Sequence, residues 1–300
     1  MNPIKLDRLQ ALEEVVRRGG FSAAAEHLRL TQPAVSLRVR ELERRLGVRL
    51  VERVGRRIVA TAAGSRLLAH AQRIDAAVAD ALEDMAAHAG GGAGRVRLGT
   101  GATACIYLLP PILRELRRRF PALEITVETG NSPDILKAVE ENAIDIGLVT
   151  LPAAGRMIEV VPVIADELVL VAPKSMPLPA RLTPAKVASL PLLLFEPGGN
   201  TRRIADGWFA RARMAPQPVM ALGSVEAIKE LVWAGLGCAI VPRMAMASGA
   251  ARRPLVCRTL SPPLHRRLGV VVRRDKPLHR GLREALGALT ALKDGPTGIR

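Results

Sequence analysis

FSAAAEHLRLTQPAVS, residues 21–36, codes for a short helix, a tight break and a second helix whose first turn is built to meet a surface. Ser22 is placed to N-cap the first helix, and Ala23, Ala24 and Ala25 are strong helix formers. Leu28 and Leu30 close it with apolar side chains. Thr31 then caps a new helix, where Pro33 is tolerated because the first turn has no N–H partner to lose. In that second helix Val35, Val39, Leu42 and Leu46 recur at spacings of 4, 3 and 4, which predicts one buried stripe. Gln32, Ser36 and Arg40 fall on another face, with Arg38 beside them. Two helices in this order form the pattern of a helix-turn-helix, in which the second helix reads base edges in the major groove. An ordinary helical hairpin shares the pattern, so the flanking sequence has to decide.

Three neighbours favour a DNA reader. Residues 4–18 supply a preceding helix with Leu6, Leu9, Leu12 and Val16 as its stripe, ended by Gly19-Gly20. Gly47 breaks the chain after Leu46, and residues 48–61, VRLVERVGRRIVAT, are β-branched and basic with Gly55 as a turn, which predicts a hairpin wing. Between Arg29 and Arg57 lie nine arginines against three acids, a concentration suited to the phosphates of double-stranded DNA. Arg57 belongs to that cluster.

Composition bounds the rest. The 300 residues are enough for two or three domains. The net charge is +16, but residues 1–89 hold 15 basic and 11 acidic side chains and residues 90–300 hold 29 and 17, so the basic excess does not single out the DNA-reading end. Residues 251–300 alone carry 12 basic and 3 acidic groups, which reads as a solvated basic surface or as an anion attractor. Cys105, Cys238 and Cys257 are irregularly spaced, with no CxxC pair and no His/Cys cluster, so neither a disulfide framework nor a metal site is expected, and no cofactor. The N-terminus lacks a signal-peptide core and no apolar run is long enough to span a bilayer, so the expected place is the cytoplasm, away from membranes.

Residues 61–89 are alanine-rich and free of proline. Leu67, Ala71, Ile74, Val78, Ala81 and Met85 recur at 4, 3, 4, 3 and 4, a seam that wants a partner helix, either in the same domain or in a second chain. Residues 90–94 form a glycine-rich hinge. Strands and helices then alternate. Strands are expected at 95–99, 124–128, 144–149, 167–171, 192–195, 218–222, 238–241 and 268–273. Helices are expected at 106–120, 133–142, 201–214, 225–234 and 277–292. Two βαβ rounds imply two parallel-sheet subdomains with ligands at the C-terminal strand ends. The loops there are polar and small: Thr100, Gly101 and Thr103, then Thr129 and Asn131, then Thr150, Asn200, Thr201 and Ser224. Several lead straight into helices, so their hydroxyls and N–H groups suit a small anion if they converge, and simple N-caps if they do not.

FSAAAEHLRLTQPAVS, LERRLGVRLVER and TAAG, with DIGLVT at residues 145–150 and ELVWAGLGCAIVP at residues 230–242, resemble the LysR-type transcriptional regulators over nearly the whole chain. The resemblance implies an all-α winged helix-turn-helix over residues 1–60 and a dimerising linker helix over 61–89. It further implies a two-lobed α/β effector domain over 95–300, like type II periplasmic solute-binding proteins. The lobes would be residues 96–160 plus 268–292, and 161–267. A small-molecule effector in the cleft and a homotetramer follow from the same resemblance; that the effector is anionic rests on the loop donors above, and a homodimer on the seam over residues 61–89, with RNA polymerase as a further expected partner. By position, Gln32, Pro33 and Ser36 match the tip of the family's reading helix, and Arg53 and Arg56 match wing contacts. Thr100 and Thr103 match the effector-contacting turn, and Thr129, Thr150, Asn200, Thr201 and Ser224 face the same cleft by analogy. Leu37 and Val51 depart from the family's usual polar residue and phenylalanine.

Two other classes compete. Residues 99–104, GTGATA, fit the dinucleotide pattern G-x-G-x-x-A with Glu128 available for a ribose, as in an NAD-dependent enzyme with a DNA-binding head, but no acid/base pair accompanies it. Cys105, just past the same turn, would serve a redox sensor.

Overall fold

The computed structural model describes residues 4–88, 94–246 and 255–294. The first unit opens with three helices, α1 (Leu6–Arg18), α2 (Phe21–Leu28) and α3 (Gln32–Leu46). A hairpin of β1 (Val51–Val54) and β2 (Arg57–Ala60) and the long helix α4 (Ala62–His88) follow. The helices bury Leu9, Leu12, Val15, Ala24, Ala25, Val35, Val39 and Leu42 in one core. Gly19 and Gly47 end α1 and α3 at φ +72° and +68°, a left-handed conformation in which a side chain would crowd the backbone. The main-chain carbonyl of Gly19 also accepts from Ile58 N–H at 2.8 Å, which fastens the hairpin to the end of α1.

Four local expectations are corrected. Gly20, not Ser22, is the N-cap of α2, because the helix starts one residue early, at Phe21. Leu6 and Leu46 stay exposed at helix ends, where the stripe runs past the core. The wing strands are only four residues each. Leu67 and Ala71 of the seam pack into the three-helix core of their own unit, while Ile74, Val78 and Met85 remain exposed on α4. Of the glycine hinge, residues 90–93 lie outside the described residues.

The second unit is built on an eight-stranded sheet. Its elements are β3 (Arg95–Thr100), α5 (Ala102–Tyr107), α6 (Leu109–Arg119), β4 (Glu124–Thr129), α7 (Ser132–Glu140), β5 (Ile146–Thr150), β6 (Ile158–Pro173), α8 (Pro184–Ala188), β7 (Leu192–Phe195), α9 (Asn200–Ala210), β8 (Met220–Leu222), α10 (Val225–Trp233), β9 (Cys238–Pro242), β10 (Leu255–Arg273) and α11 (Arg280–Thr290). The strand order is β4-β3-β5-β10-β6-β9-β7-β8. β3, β4 and β5 are parallel at one end, and β7, β8 and β9 at the other. The long antiparallel pair β6/β10 runs through both halves, so the chain crosses twice and makes two lobes. Sequence alternation marked only part of each long strand. The missing stretches, 158–166 and 255–267, alternate too weakly in polarity to stand out before the partner strand is known.

Helices cover both faces. Leu98, Leu109, Leu116, Leu148 and Leu282 fill one side of the first lobe, and Ile135, Val139 and Val271 the other. Trp208 and Phe209 of α9 anchor one side of the second lobe, and Val225, Ile228 and Val232 of α10 the other. Gly99 explains itself by packing: a Cβ there would lie 2.7 Å from Ile144 Cδ1 and 2.9 Å from Ile135 Cγ2. The glycine lets α7 close on the sheet, and the dinucleotide pattern at residues 99–104 has this steric cause. The expected helix at 106–120 is instead α5 and α6, starting at Ala102 and broken at Leu108 ahead of Pro110-Pro111. Nor are the basic groups of the C-terminal stretch all solvated. Lys276 lies 2.8 Å from buried Asp145, and Arg266 is buried against Asp166.

Candidate functional site

The first site is the face of α3 and the hairpin. Gln32, Pro33 and Arg40 are exposed on α3, Ser36 is half-buried beside them, and Leu37 stands out with 58% of its surface open. Pro33 sits in the first turn, as helix sterics allow. Arg53, Arg56 and Arg57 are exposed on the hairpin, and the Arg53 Nε–H donates to the Gly55 carbonyl at 3.2 Å. Arg38 turns away, toward α1, with its guanidinium 3.5 Å from Asp7. Glu14 is buried and gathers Arg17, Arg18 at 2.8 Å and His27 at 3.8 Å; burial opposes its ionisation, but the two guanidinium groups outweigh that and hold its carboxyl below the usual range. That cluster ties α1 to α2.

The second site is a cavity of about 240 Å³ at the C-terminal ends of β3, β4, β5 and β7, where the two lobes meet. It is at the small end of ligand pockets, which commonly span about 300–1,000 Å³, and therefore suits a small molecule. Gly101, Thr103, Thr129, Asn131, Thr150, Asn200 and Thr201 all line it. Ser132 and Arg202, in and beside the expected loops, line it too, as do Phe195, Glu196 and Arg266, which sequence reasoning missed. Arg266 was hidden in a basic stretch whose strand was unrecognised.

Two expected contacts do not reach the cavity. Thr100 is fully buried and its hydroxyl donates to the Leu148 carbonyl at 2.8 Å, so it binds β3 to β5 instead. Ser224 accepts from the Ala227 N–H at 3.4 Å and is the N-cap of α10. By contrast, α5 and α9 start after Gly101 and Gly199, which line the cavity and give the first N–H groups no side-chain cap. Asn200 fixes the second lobe to the first, its amide donating to the carbonyls of Thr150 and, at 3.0 Å, Pro152.

Arg266 is 4% exposed and gives its Nε–H to Asp166 at 3.0 Å and a terminal N–H to the Thr201 hydroxyl at 3.2 Å. Burial pushes the Asp166 carboxyl above its ordinary value against the pull of Arg266. Arg202, at the start of α9, donates to the Phe195 carbonyl at 2.7 Å and to Asp206 at 2.9 Å. At the far end of α5, Tyr107 donates to Glu226 of α10, and Lys229 reaches the Tyr107 hydroxyl at 2.7 Å and the Ala245 carbonyl at 2.8 Å. One short helix thus starts at the cavity and ends on a polar clamp in the other lobe.

The cysteines do not make a redox pair. Cys238 and Cys257 pack on opposite faces of the sheet, and burial pushes the Cys238 thiol up to about 11 and the Cys257 thiol upward. Cys105 packs against the first lobe's core.

Comparison with known proteins agrees with this architecture. Residues 6–65 match the model of bacterial regulatory helix-turn-helix proteins of the lysR family, and residues 89–293 match the LysR substrate binding domain. The HTH-type transcriptional regulator CbbR of Rhodospirillum rubrum is 33% identical over 92% of this chain and 92% of its own length. The HTH-type transcriptional activator CmpR of Synechocystis is 29% identical over 93% and 92%. The crystal structure of full-length CbnR complexed with its target DNA superposes with a TM-score of 0.74 at 22% identity, over 96% of this chain and 99% of that one, which shows a shared fold. Reading head, two-lobed cleft and family matches over most of its length together establish that the chain belongs to the LysR family of DNA-binding transcriptional regulators.

Proposed function

We infer that this regulator responds to a small anion held in the cleft, and that it reads duplex DNA through Gln32, Ser36 and Arg40 with Arg53 and Arg56 on the backbone. The observation that carries the effector reading is the pair of uncapped helix starts on one cavity. Residues 101–103 and 199–201 line that cavity together, Thr103 among them, and the positive end of the α9 dipole favours negative charge there. Phe195 is the single aromatic residue among those that line the cavity, so it offers no aromatic cage for a cation. On α4, the exposed Ile74, Val78 and Met85 fit pairing with a second chain, which would set two reading heads on one operator.

Thermal shift of the purified chain tests the effector reading, with carboxylates, sulfate and phosphate set against neutral and cationic metabolites. Anions should stabilise it, and Thr103→Val, which keeps shape and removes a hydroxyl, should weaken them by about 1–3 kcal/mol. Stabilisation by neutral or cationic compounds alone would refute it. Selection of binding sites from random duplexes tests the reading head. Gln32→Ala should relax preference at one position per half-site, whereas Arg56→Ala should weaken all sequences alike.

A further inference from the structure

Leu37 is the large apolar side chain of α3 that lies neither in the core nor at a helix end. Val35, Val39 and Leu42 are buried, and Leu46 is the last residue of the helix. Leu37 sits among them in sequence with 58% of its surface open. At about 100° of turn per residue it stands opposite the buried stripe. Pro33 precedes it by one turn on that outer side, and Arg40 and Arg44 follow it by one turn and two. All three are exposed as well. A single exposed leucine on a surface is ordinary, and here its place gives it meaning. It lies in the half of α3 that carries Gln32 and Ser36, on the helix assigned above to reading base edges.

Base edges in the major groove offer hydrogen-bond donors, acceptors and one apolar group, the C5-methyl of thymine. A leucine has no hydrogen bond to give in return for the water it displaces from a polar edge, so that contact costs free energy. Against a thymine methyl it removes two hydrocarbon surfaces from water together. Pro33, one turn earlier, extends the same apolar strip toward the start of the helix. We propose that Leu37 is a specificity-determining residue, and that it reads the C5-methyl group of a thymine in the half-site that α3 enters. This rests on the assignment of α3 as the reading helix and adds an apolar contact to its polar ones.

The test uses the full chain and the duplex it selects from random sequence. Each thymine is replaced in turn by deoxyuridine, which removes the methyl group and keeps every hydrogen-bonding group of the base. At least one thymine per half-site should respond with a loss of affinity of about fourfold, as for one buried methyl group. Leu37→Ala, at an exposed position, should keep the parent's melting temperature and shrink that penalty to about 1.5-fold or less, the mark of a direct coupling between the two groups. At the same position 5-methylcytosine should bind the parent more tightly than cytosine does, and Leu37→Ala should bind the two alike. A penalty that survives Leu37→Ala in full belongs to another residue and overturns the proposal. So does a selected duplex in which no thymine responds to the loss of its methyl group. In either case a Gln32→Ala variant that still relaxes sequence preference leaves the reading helix standing. If Gln32→Ala and Leu37→Ala both weaken all duplexes alike, the reading helix and the proposal fall together.

Discussion

Gly64→Ala should unseat the helix that follows the reading head. A Cβ at Gly64 would lie 1.9 Å from the Leu50 carbonyl oxygen and 2.9 Å from its carbon, both main-chain atoms that no rotamer change can move. Ordinary contact begins at 3.4 Å, so the start of α4 would have to retreat by about 1.5 Å. The retreat breaks a compact set of bonds. Thr61 N–H donates to the same Leu50 carbonyl at 3.0 Å, the Thr61 hydroxyl donates to Arg49 at 2.8 Å, and Gly64 N–H donates to the Thr61 oxygen at 3.0 Å. Leu67 and Ala71 would be drawn from the three-helix core. Overpacking of about 1–3 kcal/mol and two or three hydrogen bonds at about 1 kcal/mol each give a cost of about 4 kcal/mol. For a unit of this size that lowers the melting temperature by about 15–30 °C.

The assay is favoured by the placement of tryptophan. Trp208 and Trp233 both lie in the α/β unit, so its melting is followed by fluorescence, while far-ultraviolet circular dichroism sees the helices of both units. Gly64→Ala should split the two signals, with an early dichroism transition and unmoved fluorescence. Gly207→Ala, at a helical position with nothing within 4 Å, is the control and should stabilise α9 by about 0.5–1 kcal/mol. A dichroism transition within about 5 °C of the parent for Gly64→Ala would refute the packing argument.

Three further outcomes are expected. Burial opposes ionisation of Asp145, but its bonds to Arg97 and Lys276 outweigh that and hold its carboxyl below the usual range, so its stabilising effect is complete above about pH 4 and fades as pH falls through the depressed value. Asp145→Asn should therefore cost about 3–5 kcal/mol in urea unfolding near neutral pH and much less at about pH 2, and an equal cost at both would be inconsistent with the ion pair. Tyr107→Phe removes the hydroxyl that joins α5 to Glu226 and Lys229, and should raise amide exchange in α10 by an amount equivalent to about 1–3 kcal/mol, while unchanged protection there would mean that the clamp carries no load. Ile74→Asp puts a charge on the exposed face of α4 and should lower the sedimenting mass toward that of one chain, and a variant that keeps its assembly would place the contact elsewhere.

Much of the reading head was legible in order. Val35, Val39 and Leu42 are buried as their spacing requires, and Gly19, Gly47 and Gly55 turn the chain at positive φ where the pattern breaks. These signals are local, because helix periodicity and left-handed glycine are decided within a few residues. The loops at the strand ends were legible for a similar reason, since small polar residues before a helix mark its start. Seven of the nine expected cleft residues do line the cavity, yet nothing local distinguished them from Thr100 and Ser224. A hydroxyl serves equally well as a ligand donor, a cap or a cross-strand bond, and only the position of an acceptor chooses among them.

The sequence by itself determined the three-helix head with its wing, the α/β alternation and the family, because these depend on periodicity, glycine and short motifs. Only the tertiary structure decided that β6 and β10 each run through both lobes, that Leu67 and Ala71 stay with their own core, and that Arg266 and Glu196 share a cavity wall with Thr103. Those facts join residues far apart in the chain. Pairing register, burial and the neutralisation of one charge by another exist only once distant segments have been brought together.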